Sequence, residues 1–498
     1  MSRINTNVQS MLAQRVLGQN NLSLSTSLER LSTGLAINRG KDNPAGLIAS
    51  ENLRSEKASI SAAIGNAERA DQVLNIAEGG LQEVNTLLLE VQSLVGQSAN
   101  DAGLSLEEKE ANQLQIDSIL QTIDRISQAT SFQGSKLLNG TYDFTASGVA
   151  TTVLDYKVNG AKLGHDTNRE VQVVVTASAQ HGALFLSTGG ALDLTDADAR
   201  FTFEVAGAAG SREFSFASGT ALADIVDAVN TYKDVTGVSA ATQGSGLVLK
   251  STDFGSRQFV SFDVINTGGQ VGAVHGLSSI DEDVVTVAGS TAFSSVTNSI
   301  RDAGQDVGAI INGISATADG RKARINTDFL DLELELSTAG AQANGTINAL
   351  TITGGGAKFN LGPSVDITNQ STIGIGNVQS RRLGDVNVGY LDDLGSGKAN
   401  NVVNGDLSEA QKIVDSAIGH VATLRGRLGA FQKNTIGSTI RSLGVALENT
   451  SAAESSIRDT DFATETAKLT RNQILVNAST NVLSITNSQP QNVLSLLG

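Results

Sequence analysis

The sequence predicts an α+β protein in which terminal α-helices form a coiled-coil or helical-bundle core and β-rich domains are inserted between them. Two observations carry this prediction. Near both ends, apolar residues recur at the alternating three- and four-residue spacing of a helix seam, whereas between the ends short runs alternate with the period of a strand. Composition agrees: with Gly at 52 of 498 positions, Pro at 3, no Trp and 4% aromatic residues, small side chains must do the packing.

The first helix carries Ile4, Val8, Met11 and Leu12, resumes with Leu24, Leu28, Leu31 and Leu35, and should stop before Asn43-Pro44, because the residue before proline is pushed out of the α region. From Leu53 the seam is strict: Leu53, Ile60, Ala67, Leu74, Leu81, Leu88 and Val95 fall at every seventh position, with Ala63, Ala70, Ala77, Val84 and Val91 interleaved. Such a repeat predicts a coiled coil. A third helix opens at the capping box Ser105-x-x-Glu108, runs through Leu114, Ile119, Ile123 and Ile126, and should fold back on the second.

Toward the carboxy terminus, a capping-box pattern at Ser408-x-x-Gln411 precedes Ala410, Val414, Ala417, Val421, Leu424, Leu428 and Phe431. The register then slips, and Ile436, Ile440, Leu443 and Leu447 take it up. A last helix from about Asp461 carries Leu475, Ala478, Val482 and Ile485 and should end near Pro490, leaving the apolar tail Val493, Leu494, Leu496 and Leu497. The hairpin of the second and third helices leaves a seam that one more helix could fill, so the two ends are expected to pack together. The outermost helices are diluted by Asn, Gln, Ser and Thr. As an isolated pair they bury too little, at about 25 cal/mol per Å², to offset roughly 1–2 kcal/mol of backbone entropy per residue. Their apolar stripes make sense when neighbouring copies of the chain complete the core.

In the middle, Phe201, Phe203 and Val205 alternate with polar residues, Phe214 and Phe216 follow a Gly-rich turn, a short helix carries Leu222, Ile225, Val226 and Val229, and strands come at Leu247–Leu249 and Phe259–Ile265. Asn312-Gly313 is a hairpin signal. Leu330, Leu332, Leu334 and Leu336 alternate with Asp331, Glu333 and Glu335, a strand with an acidic outer face. The expected division is 1–44 with 460–498, 45–145 with 401–459, and an inserted region 146–400 holding two domains, about 146–290 and 291–400.

Composition narrows function. Zero Cys excludes disulfides, thiolate metal sites and a thiol nucleophile, and 35 basic against 51 acidic residues give a net charge of −16 that repels nucleic acid and anionic membranes. The start MSRINTNVQS lacks the basic and apolar regions of a secretory signal, and no apolar run is long enough to span a bilayer. His165, His181, His275 and His420 are scattered without HExxH. Gly395-Ser396-Gly397-Lys398 has Asp392 where a phosphate loop needs glycine and Ala399 where it needs Ser or Thr; Gly354-Gly355-Gly356 lacks dinucleotide-binding spacing; Asp281, Glu282 and Asp283 lack EF-hand spacing. Asn-x-Ser/Thr triplets such as Asn139-Gly140-Thr141 occur at about chance frequency. No catalytic, cofactor-binding or metal-ligating residue is assigned.

The opening INTNVQSMLAQRVLGQNNLSLSTSLERLSTGLAINRGKDNPAGLIASENL, the segment AIGNAERADQVLNIAEGGLQEVNTLLLEVQSLVGQSAN and the close ESSIRDTDFATETAKLTRNQILVNASTNVLSITNSQPQNVLSLLG resemble the terminal regions of bacterial flagellins. Phe201–Ile265 and the stretch near Asn312-Gly313 resemble insertion motifs of their variable middle regions. The resemblance implies a secreted filament subunit for swimming motility, a helical homopolymer exported unfolded through the flagellar channel. Its partners would be itself, the export machinery, a chaperone, the filament cap and the hook-filament junction proteins. It places Ile4 to Leu35 with Leu475 to Leu497 in an inner tube, and Leu53 to Val95, Ser105 to Ile126 and Ala410 to Leu447 in a surrounding shell. The inter-subunit and core packing residues are then Ile4, Val8, Leu12, Leu28, Leu31, Leu74, Leu81, Leu88, Val95, Val421, Leu424, Leu428, Leu475, Val482, Ile485, Leu494 and Leu497. The alternatives are a hook-filament junction protein of the same plan, against which the full PQNVLSLLG tail counts, and a flagellin with a metalloprotease insertion, against which the missing HExxH counts. In many flagellins the segment matching Leu88 to Asn100 is basic and recognised by an innate immune receptor. Here Leu89, Glu90 and Leu94 stand in it, with an acid at a usually basic position; weak or no signalling is expected from purified monomer in a reporter-cell assay.

Overall fold

The computed structural model describes residues 6–100, 102–164, 167–196, 198–277 and 287–497. The chain is α+β, with long helices toward both ends and antiparallel sheets between them. It divides into two compact units: residues 1–72, 359–369 and 430–498, and residues 73–358 with 370–429.

Helix α1 (Val8–Thr33) is continuous rather than interrupted, and it stops well short of Asn43-Pro44. Gly34 ends it at φ 73°, its N–H donating to the Arg30 carbonyl, a left-handed C-cap for which glycine is suited. Asn43-Pro44 instead starts α2 (Pro44–Ser98): Asn43 Oδ1 accepts from Gly46 N at 2.9 Å, and proline fits the first helical turn, where its missing N–H is not needed. The heptad seam of α2 is buried from Ile60 to Val95. Helix α3 (Leu106–Ala129) opens on the capping box, with Glu108 accepting from Ser105 N at 2.8 Å and Ser105 Oγ accepting from Glu108 N at 3.3 Å. Gly80 marks where α2 meets the turn after α3, since a Cβ there would lie 2.7 Å from Thr130 Oγ1.

The β region holds two cores, one nested inside the other rather than divided near residue 290. The first has a five-stranded sheet in the spatial order Ile314–Ser315, Gly308–Ile311, Arg169–Ala177, Gly345–Gly355, Phe144–Ser147, and a four-stranded sheet in the order Thr317–Asp319, Lys322–Asn326, Leu330–Leu336, Val153–Ala161. The second is built from Ala183–Ser187 through Ile300–Ala303, with Phe201, Phe203, Phe262 and Phe293 in ring contact at its centre. It contains the expected strand-strand-helix-strand-strand module, with helices α4 (Leu222–Thr231) and α5 (Lys233–Thr236) between its strand pairs. Nesting follows from pairing: Val173–Val175 bond both to Ala309–Ile311 and to Gly345–Ile347, so strands on either side in sequence of the second core close the first.

Asn312 (φ 49°) and Gly313 (φ 83°) form the expected hairpin turn. Leu330, Leu332, Leu334 and Leu336 are buried as expected, but Glu335 is buried too, only 5% exposed. It receives Arg321 at 3.2 Å, Lys322 at 3.4 Å and Asn387 Nδ2 at 2.7 Å. Residues 385–387 and two cations cover that end of the acidic face, and pairing of this kind is what burial of a carboxylate requires. A short α6 (Thr338–Gln342) follows the strand.

Helix α7 (Leu407–Ala430) is capped by Asp406, whose Oδ1 accepts from Ser408 N and Glu409 N, not by Ser408. The register slip after Phe431 is a single π-helical turn, Phe431–Ile436, before α8 (Gly437–Arg458); an i→i+5 turn absorbs the extra residue between Phe431 and Ile436. Helix α9 (Phe462–Leu497) is capped by Asp461, accepting from Ala463 N and Thr464 N, and it continues through Pro490 instead of ending there.

Candidate assembly interface

The bundle formed by α3, α7 and the later part of α2 is a conventional core. Leu74, Leu81, Leu88, Val95, Val421, Leu424 and Leu428 are all buried. Polar contacts flank it: Arg425 pairs with Glu78 at 2.8 Å, and Gln92 Nε2 donates to Asp415 at 2.7 Å. Gln113, on α3, donates to the Leu394 carbonyl at 2.8 Å and accepts from Val402 N at 2.9 Å. Leu94 is buried here, whereas Leu89 and Glu90 are exposed on α2.

The first and last helices behave differently. They pack antiparallel, and the connections beside them are tied together: Ala36 N donates to the Arg458 carbonyl at 2.7 Å, Thr460 N donates to the Gly34 carbonyl at 2.9 Å, and Leu35 bridges to Asp459. Ile37, 4% exposed, packs against the start of α2, its Cδ1 2.7 Å from where a Cβ on Gly46 would lie. Arg30 reaches the buried Glu465 at 3.8 Å, and Lys468 reaches it at 3.3 Å. Yet the buried residues of α1 are Ser10, Ala13 and Ser27, and α8 has none. Large apolar side chains point to solvent instead: Val8 is 66% exposed, Leu12 50%, Leu28 50%, Val482 50% and Ile485 60%. Leu475 is likewise exposed, and Leu31 is half-buried. Ile4 lies outside the described residues, as do the side chains of Leu494 and Leu497. Much of the apolar periodicity therefore marks an outer face; in the face between α1 and α9, Leu17, Leu24 and Leu31 with Leu469, Val476 and Leu483 alternate with small and polar residues.

Elsewhere the candidate chemical groups are engaged structurally. His181 Nδ1 lies 3.1 Å from the Asp253 carbonyl, and His275 Nδ1 lies 3.1 Å from that of Gly289. His420 is pushed down to about 4 by burial, with Lys157 and Arg427 adding to the shift. In Gly395–Lys398, Ser396 N donates to Asp117 at 2.9 Å and Lys398 pairs with Asp392 at 3.2 Å, so a carboxylate and not a phosphate fills the turn. Gly355 and Gly356 form a positive-φ turn between two strands. His165 and the acidic run Asp281, Glu282 and Asp283 lie outside the described residues. Among the described residues, no group of three or more His, Asp or Glu could hold a metal, and no helix is long and apolar enough to cross a membrane.

Comparison with known proteins gives this arrangement a context. Residues 4–143 match the bacterial flagellin N-terminal helical region, 411–497 the bacterial flagellin C-terminal helical region, and 200–253 the flagellin hook IN motif. The flagellin of Salmonella choleraesuis (strain SC-B67) is 30% identical over 514 residues, which cover 99% of each chain. The chain belongs to the bacterial flagellin family. Flagellin of Salmonella muenchen is 29% identical over 530 residues, and flagellin B of Helicobacter pylori (strain ATCC 700392 / 26695) 27% over 549, each covering 99% of both chains. Among solved structures, hook-associated protein 3 of Legionella pneumophila is 12% identical, with 82% of this chain and 98% of that chain covered and a TM-score of 0.29. Flagellin membership makes the chain a structural subunit of the flagellar filament, which lies outside the cell. The hook IN motif falls on the module that the sequence marks at Phe201–Ile265, within the nested core.

Proposed function

We propose that this flagellin polymerises by burying the outer faces of α1 and α9 between copies of itself, so that order at the two extremities arrives with assembly. The observation that carries the reading is the exposure of Val8, Leu12, Leu28, Val482 and Ile485 on helices whose mutual seam is aliphatic only in every second layer. Such a surface is a liability in a monomer and an interface in a polymer. Residues 1–44 and 460–498 then build the inner tube, 45–145 and 401–459 the shell around it, and 146–400 the outward domains. Export of the unfolded chain through the growing filament, aided by a chaperone, precedes assembly beneath the cap, and the resulting filament drives swimming. The exposed Leu89 and Glu90 and the buried Leu94 make a poor ligand for the innate immune receptor. No catalytic role is proposed. Deleting Asp461–Gly498 should leave a soluble monomer, with the bundle and β cores intact, that never elongates filament seeds under the electron microscope; filaments grown from the truncated chain would overturn the reading.

A further inference from the structure

The contact between α1 and α9 is built in two alternating layers. On α9 the residues withdrawn from solvent follow the spacing of a coiled-coil seam: Leu469, Val476 and Leu483 hold one heptad position, and Asn472, Ser479 and Thr486 hold the other. Helix α1 matches this pattern, with Leu17, Leu24 and Leu31 at one position and Ala13, Asn20 and Ser27 at the other. The polar positions meet one another. Asn20 Nδ2 donates to Ser479 Oγ at 2.7 Å, and Asn472 Nδ2 donates to Ser27 Oγ at 3.2 Å. The amide is on α1 in one layer and on α9 in the next, and the same antiparallel register satisfies both. Near the amino end of α1, Asn7 Nδ2 donates to the Thr486 carbonyl at 2.7 Å, and Ser10 Oγ donates to Asn487 Oδ1 at 2.6 Å.

We infer that these polar layers hold α1 and α9 in alignment, polar layer against polar layer, and keep the pair weak until a neighbouring copy covers its outer face. The inference rests on the filament-subunit reading and adds the cause of the terminal instability. A hydrogen-bonded Asn–Ser layer exchanges bonds to water for bonds within the pair and gains little, whereas a leucine layer would remove apolar surface from water and gain much. Specificity comes from the alternatives. Sliding by half a heptad sets Asn20 opposite Val476 or Leu483, or Asn472 opposite Leu24 or Leu31, and leaves a part-buried amide without its partner, which is costly. Leucines throughout would tolerate that slip. Helices with apolar outer faces need such a device, because those faces must find a neighbour while the inner faces must not.

The test uses the full chain. In one variant Asn20→Leu, Ser27→Leu, Asn472→Leu and Ser479→Leu are combined; in a second, Asn20→Ser with Ser479→Asn exchanges donor and acceptor. Proteolysis of the two ends in dilute monomer and elongation from sheared filament seeds are read for each. The four-leucine chain should show ends cleaved at least tenfold more slowly, and it should elongate seeds at least tenfold more slowly, because its ends fold prematurely or pair wrongly. The exchanged pair should behave as the parent does. Unchanged cleavage or unchanged elongation of the four-leucine chain overturns the inference, as does an exchanged pair that behaves like it. Because the parent has no Cys, Ser27→Cys with Asn472→Cys provides an independent check: oxidised filaments should yield cross-linked single chains, and covalent dimers would overturn the same-chain pairing. Failure of the parent chain to elongate seeds would strike the filament reading instead.

Discussion

Replacing Val482 and Ile485 together by serine removes apolar surface from α9 where the isolated chain leaves it in water. In the monomer these side chains are 50% and 60% exposed. Full burial of a Val or Ile side chain stabilises by about 1.5–3 kcal/mol, so the half still exposed leaves about 1–1.5 kcal/mol for each to gain on assembly. The pair should cost the filament roughly 2–3 kcal/mol per subunit, and at about 1.4 kcal/mol per tenfold the critical concentration for seeded growth should rise roughly 30- to 150-fold. Light scattering of seeded dilution series measures that concentration directly. The urea midpoint of the monomer should not move, because neither residue belongs to the bundle or the β cores. A critical concentration within about twofold of the parent's, with filaments of normal appearance, would refute the claim that this face is covered by neighbours.

Two other outcomes test the parts that hold the subunit together. Leu81, fully buried in the seam of α2, should cost about 2–5 kcal/mol when truncated to alanine, through lost transfer energy and the cavity left behind; urea unfolding of the monomer checks this, and a loss under about 1 kcal/mol would mean that the seam is not packed as described. His420 supplies a pH dependence. Its folded value near 4 lies below the ordinary 6.5, so on acidification the unfolded chain takes up the proton first, and stability falls as pH drops from about 7 toward 4. At about 1.4 kcal/mol per pH unit the full loss is about 3 kcal/mol. His420→Gln should lose about 2 kcal/mol less than the parent between pH 7 and pH 5 in urea unfolding, and equal losses would refute the assignment.

What was legible in the sequence is what burial marks periodically or a turn marks locally. Leu74, Leu81 and Leu88 recur every seventh position because one face of α2 is dry, and they are buried as that spacing requires. Ser105 with Glu108, and Asn312 with Gly313, are local devices whose chemistry is complete within four residues. The slip after Phe431 was legible as a slip, and a π-helical turn is how the backbone takes it up. The nesting of the β cores was not legible, because pairing Val173 to both Ile311 and Ile347 depends on contacts more than a hundred residues apart, and strand alternation says which face is dry but not which strand is the neighbour. The sequence favours Ser408 over Asp406 because two residues two positions apart can each start a helix, and only the backbone decides which one caps it.

The interface between α1 and α9 was only half legible, through Leu24 and Leu31, and for a deeper reason. A search for apolar periodicity finds the surface that water rejects most strongly, and on these helices that surface carries Val8, Leu12, Val482 and Ile485, which the single chain leaves exposed. The seam that the chain closes by itself carries Asn20, Ser27, Asn472 and Ser479 in every second layer, so its hydrophobic signal is halved. A helix that must pair both within its chain and with its neighbours has two faces of unequal strength. If the stronger face were turned inward, the pair would fold alone and the neighbours would have little left to gain. With the stronger face turned outward, the order of events reverses: the weak polar seam sets register, and the free energy that fixes it comes from association.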